Sequence, residues 1–97
     1  MRQKDILDSL MSWYKSHCNG IWEHEYGIKL DTLDNPGWSL DVDLKETELE
    51  DKEFPKIWID NSDDDWLYCE VVDDKFIARG SSDKLEAILK MFLEFAT

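Results

Sequence analysis

The hydrophobic period of this chain changes twice, and no other feature limits its fold as much. From Asp5 to His17 apolar residues recur at spacings of three and four, which places Ile6, Leu7, Leu10, Met11 and Tyr14 on one stripe of a helix. Asn19-Gly20 ends that helix, because both residues tolerate the left-handed cap conformation. The period then becomes two. Trp22, His24, Tyr26, Ile28 and Leu30 alternate with Glu23, Glu25, Gly27, Lys29 and Asp31, the pattern of a half-buried strand.

Asp34-Asn35-Pro36-Gly37 is a turn signal: Pro presets φ and Gly accepts positive φ. A second alternating run follows in Trp38, Leu40, Val42 and Leu44, so the two runs form a hairpin. Lys45 to Glu53 is highly charged, carries Leu49 as its single large apolar residue, and fits a loop or a short helical turn equally well. Phe54 to Asp60 reads as a third strand with Pro55 near its start, where Pro is tolerated. Asn61 to Asp65 is a polar connection, Trp66 to Val72 a fourth strand, Asp73-Asp74 a tight turn and Lys75 to Arg79 a fifth strand. A two-residue turn pairs Val72 with Lys75, Val71 with Phe76 and Cys69 with Ala78. Leu67, Cys69, Val71, Phe76 and Ala78 then share one apolar face, and Trp66, Tyr68 and Glu70 point the other way.

The second change of period comes after Gly80-Ser81-Ser82-Asp83. Leu85, Ile88, Leu89, Phe92, Leu93 and Ala96 make an amphipathic helix, and Asp83 with Glu86 has capping-box spacing. Helix, five strands, helix implies an α+β fold: a five-stranded antiparallel meander sheet flanked by an N-terminal and a C-terminal helix, in one domain spanning residues 1–97.

The net charge of −12 over 97 residues excludes binding to nucleic acid through phosphates, and anionic membrane surfaces for the same reason. It suits a basic protein partner, because opposite fields speed association. Five Trp and 42% hydrophobic residues supply a core and argue against disorder. Cys18 and Cys69 are too few for a disulfide framework, Met1-Arg2-Gln3-Lys4-Asp5 carries no leader pattern, and no apolar run reaches transmembrane length. The expected location is the cytoplasm, with both thiols reduced.

Chemistry finds little footing. His17, Cys18, His24 and Cys69 are all the His and Cys present, and their spacing matches no zinc motif. His24 shares the expected core face with Trp22 and Tyr26, which suits a hydrogen-bonded core histidine. Asp60, Ser62 and Asp64 resemble the opening of a calcium loop, but Asp65 and Val71 stand where that loop needs Gly and Glu. A Cys69–His24 dyad would put its thiol on the core face, where thiols are inert. No cofactor, metal or catalytic residue is therefore expected.

Binding has better support. Fourteen of the 23 acidic residues lie between Asp41 and Asp74, with only three lysines among them. If Ile57 and Ile59 face the core, Trp58 faces out, and Trp58, Trp66 and Tyr68 share the open sheet face with Asp41, Asp43 and Glu70. Aromatic anchors among carboxylates suit a basic partner. The expected partner-binding residues are Trp58, Asp60, Asp63, Asp64, Asp65, Trp66, Tyr68 and Glu70. The competing expectation is that a helix or a long loop covers this face.

The residues Trp13-Tyr14, His17-Cys18-Asn19-Gly20, Trp22-Glu23-His24-Glu25-Tyr26-Gly27-Ile28 and Thr32-Leu33-Asp34-Asn35-Pro36-Gly37-Trp38 carry a resemblance. With Asp43-Leu44, Asp65-Trp66, Cys69, Leu85, Ile88, Leu89 and Phe92, the chain resembles the immunity protein 53 family of bacterial polymorphic toxin systems. The resemblance implies an antidote that binds a cognate toxin domain, often a nuclease, and blocks it without performing chemistry. It implies structural roles for Asn35-Pro36-Gly37, Trp22, Tyr26 and Trp38, and it defines no catalytic residue. The alternative is an acidic homo-oligomeric or metal-binding regulatory module without a toxin partner. Both a monomer and a homodimer fit.

Overall fold

A computed structural model describes residues 3–97, with side-chain surroundings from Asp5 onward. Met1 and Arg2, on which the reading of the N-terminus rests in part, lie outside the described residues. The elements are α1 (Gln3–His17), α2 (Trp22–Glu25), β1 (Ile28–Leu33), β2 (Gly37–Asp43), β3 (Ile57–Ser62), β4 (Asp65–Val72), β5 (Lys75–Gly80) and α3 (Leu85–Ala96). Five antiparallel strands in one open sheet, with a helix near each end of the chain, form the expected α+β fold.

The strand order is β1-β2-β5-β4-β3, which corrects the expectation of a sequential meander at one junction. After β2 the chain crosses the sheet and enters the far edge as β3, so β5 returns to pair with β2. Burial explains this order. Leu40, Val42, Leu67, Cys69, Phe76 and Ala78 are buried on β2, β4 and β5, so these strands hold the centre. β1 and β3 carry mostly exposed residues and take the edges. The crossing segment is neither a strand nor a helix but a series of turns, Thr47 N–H to Leu44 O, Glu50 N–H to Thr47 O and Lys52 N–H to Leu49 O. Leu49, in its middle, plugs into the core, and Leu44 and Phe54 near its two ends pack there as well.

The last hairpin has the expected register, with Val72 opposite Lys75, Val71 opposite Phe76 and Cys69 opposite Ala78. Asp73 and Asp74 both adopt positive φ, 53° and 58°, the backbone of a two-residue turn whose twist matches the strands. The first hairpin turns through Asp34–Pro36, with Leu33 opposite Gly37.

Trp22 to Glu25 is a short helix, not the start of a strand. Asn19 Oδ1 accepts from the N–H groups of Ile21 and Trp22, and the Glu23 carboxylate accepts from those of Asn19 and Gly20. These local bonds outcompete the alternating pattern, because side-chain oxygens satisfy the free N–H groups at a helix start. His24 is consequently exposed and not a core histidine.

Both long helices pack on one face of the sheet, α3 against β5 and β2, and α1 against α3. In α3 the expected stripe faces inward, joined by Phe95, which meets Phe54 and Phe76. No capping box forms: Asp83 accepts from Ser81 Oγ at 3.2 Å and pairs with Lys84, and Lys84, the N-cap, makes no side-chain cap bond.

The inward face of α1 is rotated from the expected stripe. Ile6 and Trp13 are buried, while Leu7, Met11 and Tyr14 are exposed. Trp13 decides the rotation. Its indole meets Phe92 and Trp22 edge-on at 5.0 and 6.0 Å, and its Nε1–H donates to Glu48 at 2.9 Å. Turning this face inward buries a large ring while its polar N–H keeps a hydrogen-bond partner.

Candidate partner-binding face

The side of the sheet away from the helices is open. Strand alternation places Trp58 and Asp60 of β3, Trp66, Tyr68 and Glu70 of β4, Ile77 and Arg79 of β5, and Asp41 and Asp43 of β2 on this side. Both long helices pack on the opposite face, so the competing expectation of a covered face does not hold. Trp58 is 62% exposed, and its ring meets that of the half-buried Tyr68 edge-on at 5.4 Å.

Charge divides this face into two zones. On the β2–β5 side each carboxylate has a cation: Asp41 is 2.7 Å from Arg79 Nη1 and Asp43 is 3.9 Å from Lys75 Nζ. On the β3–β4 side, Asp60, Asp63, Asp64 and Glu70 have no ion pair or side-chain hydrogen bond among the described residues. The nearby cation, Lys56, lies over the Tyr68 ring at 5.4 Å. Unneutralised carboxylates therefore sit beside solvent-facing aromatic rings.

Trp58, Asp60, Asp63 and Trp66 converge with Asn35 and Ser62 on a shallow pocket of about 420 Å³. The two hairpin turns, Asp34–Pro36 and Asp63–Asp64, emerge at the same end of the sheet and rim it. Gly37, which has no side chain, lets the chains approach here. A Cβ on Gly37 would lie 2.5 Å from the Gly80 carbonyl oxygen and 3.4 Å from Trp66 Cζ2. The Trp66 indole thus reaches from β4 across β5 to β2. Asn35 and Ser62 were missed by the sequence reading, and the strand order would have been the signal for them.

Asp65 does not join the others. It faces the helix side, where Lys84 Nζ approaches to 2.9 Å and Asn61 Nδ2 donates at 3.2 Å. The Lys84 hydrogen bond leads in holding its carboxyl below the usual range. Its role is to tie the β3–β4 turn to the start of α3.

A second groove, of about 730 Å³, runs between α1 and the start of β1, lined by Met11, Tyr14, His24, Tyr26 and Lys29 among others. His24 lies there while Cys69 is buried with its Sγ 3.3 Å from Met91 Sδ, so the two form no dyad. Burial pushes the Cys69 thiol up to about 11. Among the described residues, no group of three or more His, Cys, Asp or Glu is placed to hold a metal ion, and no helix is long and apolar enough to cross a membrane.

Comparison with protein families matches Immunity protein 53 over residues 7–97. The chain belongs to the immunity protein 53 family. Comparisons with curated proteins and with solved structures found no match. Membership makes this an immunity protein, whose partner is a toxin, and points to inhibition rather than chemistry. Several residues that carry the immunity protein 53 resemblance are structural here, whereas Asn35 and Trp66 also line the open-face pocket. Trp22 is buried and donates Nε1–H to the Lys45 carbonyl, Trp38 donates to the Ser82 carbonyl, and Asn35-Pro36 forms the hairpin turn through a cis peptide bond.

Proposed function

We propose that this immunity protein neutralises a basic toxin domain, a nuclease, by direct binding through the β3–β4 half of the open sheet face. The observation that carries this reading is the pairing of unneutralised Asp60, Asp63, Asp64 and Glu70 with the exposed ring of Trp58 and the half-buried rings of Trp66 and Tyr68. Carboxylates in this position occupy the place of phosphates on a basic enzyme and draw it in through a complementary field. The aromatic rings supply the desolvated anchors on which most interface energy rests. Asp65 supports the surface from behind through Lys84.

The protein acts in the cytoplasm of the cell it protects, and binding alone is the mechanism. The test is co-expression with the cognate toxin. Growth should be restored by the native protein and lost when Trp58 and Asp60 are replaced together by Ala and Lys. Restored growth with that double variant would refute this surface.

A further inference from the structure

We infer that the pocket between Trp58 and Trp66 receives a guanidinium group, an arginine side chain of the bound toxin. This rests on the proposed antidote reading and assigns the chemistry of its anchor. Three features of the pocket select such a group. Trp58 and Trp66 line it, and a planar, weakly hydrated cation stacks on indole faces. Its polar lining is acceptor-rich: the carboxylates of Asp60 and Asp63 have no partner among the described residues, and the Asn35 side chain carries a further oxygen. A guanidinium presents several N–H donors in a flat fork and can bond a carboxylate while its face lies on an aromatic ring. An ammonium is a compact, strongly hydrated point charge that uses the carboxylates but gains less from the rings.

Outside the pocket, Glu70 is the one strand carboxylate on the β3–β4 side of this face without a cation among the described residues, and it lies apart from the two indoles' pocket. Asp41 and Asp43 are already engaged by Arg79 and Lys75, and Lys56 is held over Tyr68. An incoming arginine therefore meets its uncompensated carboxylates at the pocket rim. The Arg79–Asp41 pair, at 2.7 Å on the same face, shows that this sheet already holds a guanidinium against a carboxylate.

The experiment reads the indole N–H resonances of the isolated, isotope-labelled protein, assigned through Trp58→Phe and Trp66→Phe. The probe is N-acetyl-arginine methylamide, with the citrulline and lysine analogues as neutral and ammonium controls. The arginine compound should shift the Trp58 and Trp66 resonances saturably and leave Trp13, Trp22 and Trp38 in place. The Asp60→Asn/Asp63→Asn variant should weaken that binding by roughly tenfold, the loss expected when charge-assisted hydrogen bonds become neutral ones. These carboxylates make no bonds to the described residues, so the variant keeps its structure, and unchanged dispersion of the spectrum verifies it. No saturable shift at Trp58 and Trp66, or an equal response to citrulline, would overturn the pocket. An equal response to lysine would overturn the guanidinium assignment.

The readout needs no toxin, so the two readings fail separately. A toxin still neutralised through a pocket that ignores arginine removes the anchor alone. A pocket that binds arginine in a protein that fails to neutralise the toxin removes the antidote surface.

Discussion

The Trp58 ring meets the Tyr68 ring edge-on, with centroids 5.4 Å apart and planes at 77°, on neighbouring strands of the uncovered sheet face. Tyr68 fixes the orientation of a side chain that is otherwise mostly in solvent, and so presents a preorganised anchor. Trp58→Ala is expected to cost about 1 kcal/mol of folding stability, the worth of one exposed aromatic pair. It is expected to weaken toxin binding by about 2 kcal/mol or more, as the loss of an interface anchor does. Urea denaturation and titration calorimetry on the same sample separate the two.

Asp63 and Asp64 stand exposed at the β3–β4 turn and contact no cation among the described residues. Reversing both to Lys should slow association with the toxin and flatten its dependence on ionic strength, while the dissociation rate changes little. Stopped-flow mixing over a series of salt concentrations reads both effects. Asp65 is left out of this variant, because its reversal would set a second cation at ion-pair distance from Lys84.

Two carboxylates link stability to acid. Partial burial pushes the Glu48 carboxyl up, but its backbone hydrogen bond and those from Trp13 and His17 outweigh this and hold it below its ordinary range. Asp65 is also lowered, by Lys84 first and Asn61 second. A depressed carboxylate pKa contributes stability that is full above the unfolded value, about 4, and is lost as pH falls through the folded value. Acid sensitivity should therefore set in below about pH 4 and be blunted in Glu48→Gln and Asp65→Asn. Denaturation midpoints measured from neutral pH into acid check this. Lys84 is raised by the same Asp65 contact, so its share persists until strongly alkaline pH.

Gly37 has no room for a side chain. A Cβ would meet the Gly80 carbonyl oxygen at 2.5 Å and crowd Trp66. Gly37→Ala should destabilise the fold by about 1–3 kcal/mol, the usual cost of overpacking. It should also displace Trp66 and change its fluorescence, coupling the β1–β2 turn to the binding face.

The two thiols should react differently. Cys69 is fully buried with its thiol pushed up to about 11, whereas Cys18 is half-buried just beyond the end of α1. Iodoacetamide at neutral pH should label Cys18 in the native protein and reach Cys69 only on unfolding. Peptide mapping by mass spectrometry reads the order.

Much of this architecture was legible in the sequence where local chemistry and tertiary need agree. The Asp73-Asp74 turn dictates the register of β4 and β5, and that register puts Trp66, Tyr68 and Glu70 on the face opposite Cys69 and Phe76. The α3 stripe is equally plain. Three features were hidden for different reasons. Trp22–Glu25 alternates like a strand, but Asn19 Oδ1 accepts from the N–H groups of Ile21 and Trp22 and the Glu23 carboxylate folds back onto those of Asn19 and Gly20, which winds the segment into a helix. Leu7, Met11 and Tyr14 satisfy helical spacing as well as Ile6, Leu10 and Trp13 do, and only the contact with Phe92 and Glu48 selects between them. Strand order depends on which strands the core needs at its centre, which no local window contains. Without that order, Asn35 could not be placed at the rim of the pocket lined by Trp58 and Trp66.

The most direct test of the central claim is capture from the native cells followed by mass spectrometry, with the native protein and a Trp58→Ala/Asp60→Lys/Asp63→Lys variant as parallel baits. The native protein should be recovered in a one-to-one complex with a basic toxin domain, and the variant should lose that complex while remaining folded. Equal recovery of the toxin by both baits, or recovery of only further copies of the chain itself, would contradict the claim.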